Sequence, residues 1–171
     1  VKILLAIDEK ASGALLCDYV LQHVWRPNCT ALVLHVIEPY TERPYFGSLG
    51  DGLMQQLDVE QEAEALEVLN DVGKRLRLAI KDNEVGEKIA YGSAKDAILN
   101  EARKFGADLI VVGSRGLTGF TRFIVGSVSS AISAQAPCSV FLVRPQAVDR
   151  GATSVQENKH LHNKPTKQAV E

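Results

Sequence analysis

The sequence predicts an open, doubly wound α/β domain with a parallel five-stranded sheet between layers of helices. Short runs of Val, Ile and Leu recur along the chain, and helical patterns separate them. Every connection is long enough for a crossover, whereas tight turns join only antiparallel neighbours.

Lys2 to Ile7 is apolar after its first residue, as in a strand buried on both faces. Ser12 to Trp25 follows as a helix, and Ala31 to Ile37 as a second buried strand. Glu38 to Gly52 is rich in Tyr, Pro and Gly without a helical stripe, so it is read as a mobile loop placed to act as a lid. Gln55 to Lys81 reads as a long helix in which Leu66, Leu69, Val72, Leu76 and Ala79 recur at three- and four-residue steps and make one apolar stripe. Val85 to Tyr91 is more polar and suits an edge of the sheet. Ala94 to Phe105 is the third helix, Leu109 to Val112 the most uniformly apolar strand, Ser127 to Ala134 a short helix and Val140 to Val143 the last strand. From Gln146 the periodicity is lost, dividing the chain into a domain over 1–145 and a flexible polar tail over 146–171.

With 171 residues and 46% hydrophobic content the chain can bury one core, and a formal charge of -2 supplies no field for nucleic acid or an anionic membrane. Cys17, Cys29 and Cys138 are widely spaced and never paired as C-x-x-C, so they predict neither a disulfide framework nor a zinc site. Cys17 and Cys138 read as small core fillers. The chain opens directly on an apolar run, without a basic leader, and no stretch reaches the roughly 20 apolar residues of a membrane span. These features predict a cytoplasmic protein.

The chemistry concentrates after the fourth strand. Gly113-Ser114-Arg115-Gly116 is followed by nine residues and then by Gly126-Ser127 at a helix start. Glycine lets a backbone approach an anion without a Cβ in the way, so Gly113 and Gly116 are expected to cradle phosphates. Ser127 is expected as helix N-cap, with the amides of Val128 and Ser129 at the positive end of the helix dipole. No Gly-Lys-Ser or Gly-Lys-Thr occurs, and the glycine spacing is not Gly-x-Gly-x-x-Gly, which excludes a P-loop and a standard dinucleotide fingerprint. Ligands of such sheets sit at the carboxyl ends of the strands where strand order reverses.

The pattern Gly113, Gly116, Gly126, Ser127 resembles the ATP-binding subgroup of the universal stress protein family. So do Ala6-Ile-Asp8 after the first strand, Leu34-His-Val36 in the second, Gly92-Ser-Ala before the third helix and Ala136-Pro-Cys-Ser-Val before the last strand. The resemblance spans residues 1 to about 145. It implies an adenine nucleotide alpha hydrolase-like fold with strand order 3-2-1-4-5, a homodimer paired through the last strand, and ATP with Mg²⁺ as cofactors. AMP or a cyclic nucleotide is the other candidate ligand. It further implies that Ala6, Ile7, Asp8 and Val36 meet the nucleoside, and that Gly113, Ser114, Arg115, Gly116, Gly126, Ser127, Val128 and Ser129 meet the phosphates. Asp8 is placed to help hold Mg²⁺ or, alternatively, to cap the following helix.

Other residues have plainer readings. His35, inside an apolar strand, is read as a hydrogen-bonded core residue. Arg115 and Arg122 either neutralise phosphate or are solvated loop charges. Trp25, Phe120 and Phe123 are read as core or interface anchors, and His160 and His162 as solvated tail residues. The function expected is a nucleotide-dependent stress-response regulator acting on an unknown protein partner. Asp8 is its only plausible catalytic group, so ATP hydrolysis is expected to be slow at most; an ATP-cleaving enzyme or a nucleotide-free dimer scaffold are the alternatives.

Overall fold

The computed structural model describes residues 1–8, 10–22, 29–39, 51–79, 84–114 and 126–144. In chain order the elements are β1 (Lys2–Ile7), α1 (Lys10–Gln22), β2 (Thr30–Ile37), α2 (Asp51–Ala79), β3 (Val85–Tyr91), α3 (Ala94–Phe105), β4 (Leu109–Gly113), α4 (Ser127–Gln135) and β5 (Ser139–Val143). The sheet is parallel throughout, in the order β3-β2-β1-β4-β5. This is the adenine nucleotide alpha hydrolase-like arrangement. Predicted positions at Trp25, Tyr40 to Gly50, Arg115 to Phe123 and the tail over 146–171 lie outside the described residues.

Strand alternation sorts the core into two layers. Ile3, Leu5 and Ile7 join Leu16, Cys17 and Val20 of α1 and Val68, Leu69, Val72 and Leu76 of α2 on one face. Leu4 and Ala6 join Ile110 and Val112 of β4, Ile98 and Ala102 of α3 and Ile132 of α4 on the other. Ile3, Leu4 and Leu5 are all fully buried, which is why β1 reads as a continuous apolar run rather than an alternating one. The three cysteines are unpaired thiols, and burial raises the pKa of each.

Two expectations about α2 change. The helix begins at Asp51, so Asp51 and Gly52 belong to it and not to a loop. Its 29 residues extend about 43 Å, and Met54 in the first turn is 5% exposed, so the helix is packed from its start. The buried stripe keeps Leu69, Val72 and Leu76 of the expected set but not Leu66. Ala65, Val68, Leu69, Val72 and Leu76 face the sheet, while Leu66 is 54% exposed. Each residue turns the helix by about 100°, which carries Leu66 off the Ala65–Leu69–Val72–Leu76 line. Ala79, the last residue of the expected stripe, has no described side chain.

On the opposite face a charged network ties α3 to the edge strand β3. Glu101 is 6% exposed; its carboxylate accepts from Lys88 Nζ at 2.6 Å and Lys104 Nζ at 3.1 Å. The Lys88 bond leads in holding its carboxyl below the ordinary glutamate range, against the opposing effect of burial.

Candidate functional site

Strand order reverses between β1 and β4, since the chain leaves β1 for β2 on one side and returns to β4 on the other. A cleft of about 220 Å³ opens at the carboxyl ends of these strands. Its walls are Ala6, Ile7 and Asp8 after β1, Val36 from β2, Ala94 and Ile98 from α3, Val112 and Gly113 from β4, and Gly126 to Ser129 at the start of α4.

The α4 end of this cleft is built from backbone. Gly126 is the helix N-cap, with φ -60° and ψ 154°, and Ser127 is the first helical residue. Ser127 is therefore not the cap that the sequence suggests, and no side-chain hydrogen bond caps the helix. The first intrahelical bond runs from the Ser130 amide to the Gly126 carbonyl at 2.9 Å. The amides of Ser127, Val128 and Ser129 thus stand ahead of the helical ladder, at the positive end of the dipole, with no acidic residue in the first turn. This is an anion-attracting surface.

Ser129 serves as a brace. Its hydroxyl donates to the Gly126 carbonyl at 3.0 Å and lies 3.4 Å from the Ser114 carbonyl oxygen, while the Gly126 amide donates to that same Ser114 carbonyl at 2.9 Å. Ser114 is 2% exposed and does not line the cleft; its backbone, bonded also to the Val143 carbonyl through its own amide, ties the end of β4 to Gly126 and to β5. Arg115 and Gly116 lie outside the described residues.

The other end is apolar, with Ala6, Ile7, Val36, Ala94, Ile98 and Val112 as walls and Asp8 as the one carboxylate lining the cleft among the described residues. Asp8 also accepts a hydrogen bond from the Ser12 hydroxyl, so lining the cleft and bracing the first turn of α1 are jobs of one side chain. His35 alternates to the sheet face opposite Val36, is 8% exposed and does not line the cleft. It is buried as the sequence suggests, and its Nδ1 has no hydrogen-bond partner among the described residues. Burial lowers its pKa, with Asp8 acting in the opposite sense.

Ala94, Ile98 and Val112 also line the cleft, and having no polar chemistry they are not marked as site residues by side-chain type. Gly92-Ser-Ala before α3 was the available signal.

The fold and the cleft define a doubly wound α/β protein with a ligand crevice at the β1/β4 switch point. The Universal stress protein family model matches residues 1–144. The chain belongs to the universal stress protein family.

A Staphylococcus haemolyticus protein bearing that family name is 29% identical over 147 residues, 85% of this chain and 86% of the relative. A Staphylococcus epidermidis relative is 49% identical over 63 residues, covering 36% of this chain and 38% of that protein. That match therefore spans less than half the relative's length. Among solved structures, universal stress protein UspA from Lactobacillus plantarum has a TM-score of 0.67 at 23% identity, over 84% of this chain and 97% of its own. An Arabidopsis thaliana family member with AMP bound has a TM-score of 0.63 at 21% identity, over 90% and 97% of the two chains. An Archaeoglobus fulgidus member in complex with dAMP has a TM-score of 0.58 at 20% identity, over 83% and 96%. At these identities the likeness to solved structures establishes the fold.

Proposed function

We propose that this protein binds an adenine nucleotide, with ATP as its principal ligand, and acts as a nucleotide-dependent regulator in the stress response. The observation that carries the reading is the division of one cleft into two chemistries. Apolar walls from β1, β2 and α3 suit a flat base, and the uncapped amides of α4 suit phosphates. The AMP and dAMP bound by the two family members support adenine as the base. Arg115 and Gly116 continue the pattern Gly113-x-x-Gly, which extends the phosphate contacts along the loop.

The donor set suits Mg²⁺ carried in with the nucleotide. Mg²⁺ keeps most of its waters and takes one or two carboxylates plus phosphate oxygens, and Asp8 is the carboxylate available. Among the described residues no cluster of three or more His, Cys, Asp or Glu would hold a metal by itself. Occupancy, rather than turnover, is the output: a nucleotide spanning β1, α3 and α4 shifts the surface around the cleft that a partner protein reads. Hydrolysis is at most slow, because the cleft's described lining offers no paired nucleophile and base. Mass analysis of nucleotide released from the purified protein tests the reading, with an adenine nucleotide expected and a different base as the outcome that refutes it.

The reading includes a homodimer paired through β5. The two sheet edges differ: β3 exposes Glu87 and Lys88, charges that block strand pairing, whereas β5 is the uncharged run SVFLV with Phe141 39% exposed. Sedimentation at micromolar concentration should give the mass of two chains, and a single-chain mass throughout would remove the dimer. Free thiols at Cys17, Cys29 and Cys138 suit the reducing cytoplasm. Among the described residues no helix is long and apolar enough to cross a membrane.

A further inference from the structure

Two helices present their N-termini at this cleft, and they are treated differently. The α4 end is open, as described above. At the α3 end the first amide is taken from a distance: Glu38, just past β2, accepts a hydrogen bond from the Ala94 amide on Oε1 at 3.1 Å. The α3 N-cap, Ser93, makes no side-chain capping bond, so a capping job that normally falls to the local residue is done by a carboxylate 56 positions away in sequence. A second tie runs beside it, from the Gly92 amide to the Ile37 carbonyl at 2.9 Å. Gly92 holds φ +102°, a backbone region that side chains other than glycine rarely adopt, and this turn brings the start of α3 to the end of β2.

The wall this joint supports is the apolar end of the cleft. Ala94 and Ile98 stand one helical turn apart and both line it, as does Val36, two residues before Glu38. The carboxylate also offsets the positive end of α3, as does Asp96 in the first turn. With Glu38 and Asp96 beside it the α3 end is the more acidic of the two helix starts, which favours α4 for a phosphate.

We propose that Glu38 is a positioning residue for the ligand: it fixes α3 against β2 and so shapes the wall that receives the base and ribose. The proposal rests on the adenine-nucleotide reading, which determines what the wall is for. Three probes separate its parts. Adenosine senses the wall alone, inorganic tripolyphosphate senses the α4 end alone, and amide hydrogen exchange at Ala94 senses the joint without any ligand.

In Glu38→Ala the Ala94 amide should exchange about tenfold faster, and adenosine should bind about five- to tenfold more weakly, the scale of one lost hydrogen bond. Tripolyphosphate affinity should stay within about twofold. Glu38→Gln keeps an oxygen acceptor and should restore both the exchange rate and adenosine binding, a rescue that loss of charge or of general stability would not produce. Unchanged Ala94 exchange in Glu38→Ala, equal weakening of adenosine and tripolyphosphate, or failure of Glu38→Gln to rescue would each overturn the proposal. Failure of the wild-type chain to bind adenosine would overturn the nucleotide reading instead, while the exchange measurement would still decide whether Glu38 holds α3.

Discussion

Ser127→Asp should weaken ATP binding by about 100-fold or more, a cost near 2.8 kcal/mol, without lowering thermal stability. The two halves of this expectation come from one position. Ser127 is the first residue of α4 and lines the cleft, so an aspartate there directs a carboxylate toward the region assigned to phosphates. Like charges about 4 Å apart repel by around 4 kcal/mol at an intermediate effective dielectric, enough to account for the loss. For the helix, the same carboxylate is favourable, because α4 has no acidic residue in its first turn and its macrodipole rewards one by about 0.3–1 kcal/mol. A melting temperature equal to or above that of the wild type, measured beside the calorimetric loss, would show that the effect is electrostatic. Retained ATP affinity would place the phosphates elsewhere.

Leu69→Ala should cost about 3 kcal/mol of unfolding free energy, and Leu66→Ala less than about 1 kcal/mol. Both leucines sit in the interior of α2, so the change in helix propensity is the same for each and the contrast isolates burial. Leu69 is 2% exposed and packs in the cluster with Ile3, Leu5 and Leu16; its truncation removes a buried isobutyl group and leaves a cavity behind. Leu66 keeps more than half its surface in solvent. Urea denaturation of the two variants reads the difference directly, and comparable losses would mean that α2 is rotated relative to the packing described here.

That pair also marks where the sequence was readable and where it was not. A strand buried on both faces leaves an unmistakable run of branched apolar residues, so β1 and β4 stand out in Ile3 to Ile7 and Leu109 to Val112. The polar character of Val85 to Tyr91 likewise pointed to an edge, and β3 pairs with β2 alone. The margin of a helix stripe is harder, because Leu66 and Leu69 are chemically identical and the buried line takes Ala65 in place of Leu66. The start of α2 is harder to see because Asp51 to Met54 contributes one buried side chain, Met54, too little to show a repeating stripe.

The glycine and serine pattern of the site was legible because backbone approach demands those residue types near Gly113 and Gly126. Whether Gly126 or Ser127 is the cap was not, since both residues are accepted at that position. Ala94 and Ile98 resemble any core residues, and the joint between Glu38 and Ala94 links elements far apart in sequence, so neither leaves a local mark. Ser114 sits inside the motif and also supplies an internal carbonyl acceptor for Gly126, a contact that the motif alone does not reveal.

The central claim, that the cleft between β1 and β4 holds ATP, is tested most directly by calorimetric titration of ATP with Mg²⁺ into the wild-type chain and into Gly116→Asp. The account predicts saturable one-to-one binding with a dissociation constant of about micromolar order, roughly 8 kcal/mol of binding free energy, and its loss in the variant. No heat from the wild type, confirmed by the absence of bound nucleotide, would contradict it, as would undiminished binding by Gly116→Asp.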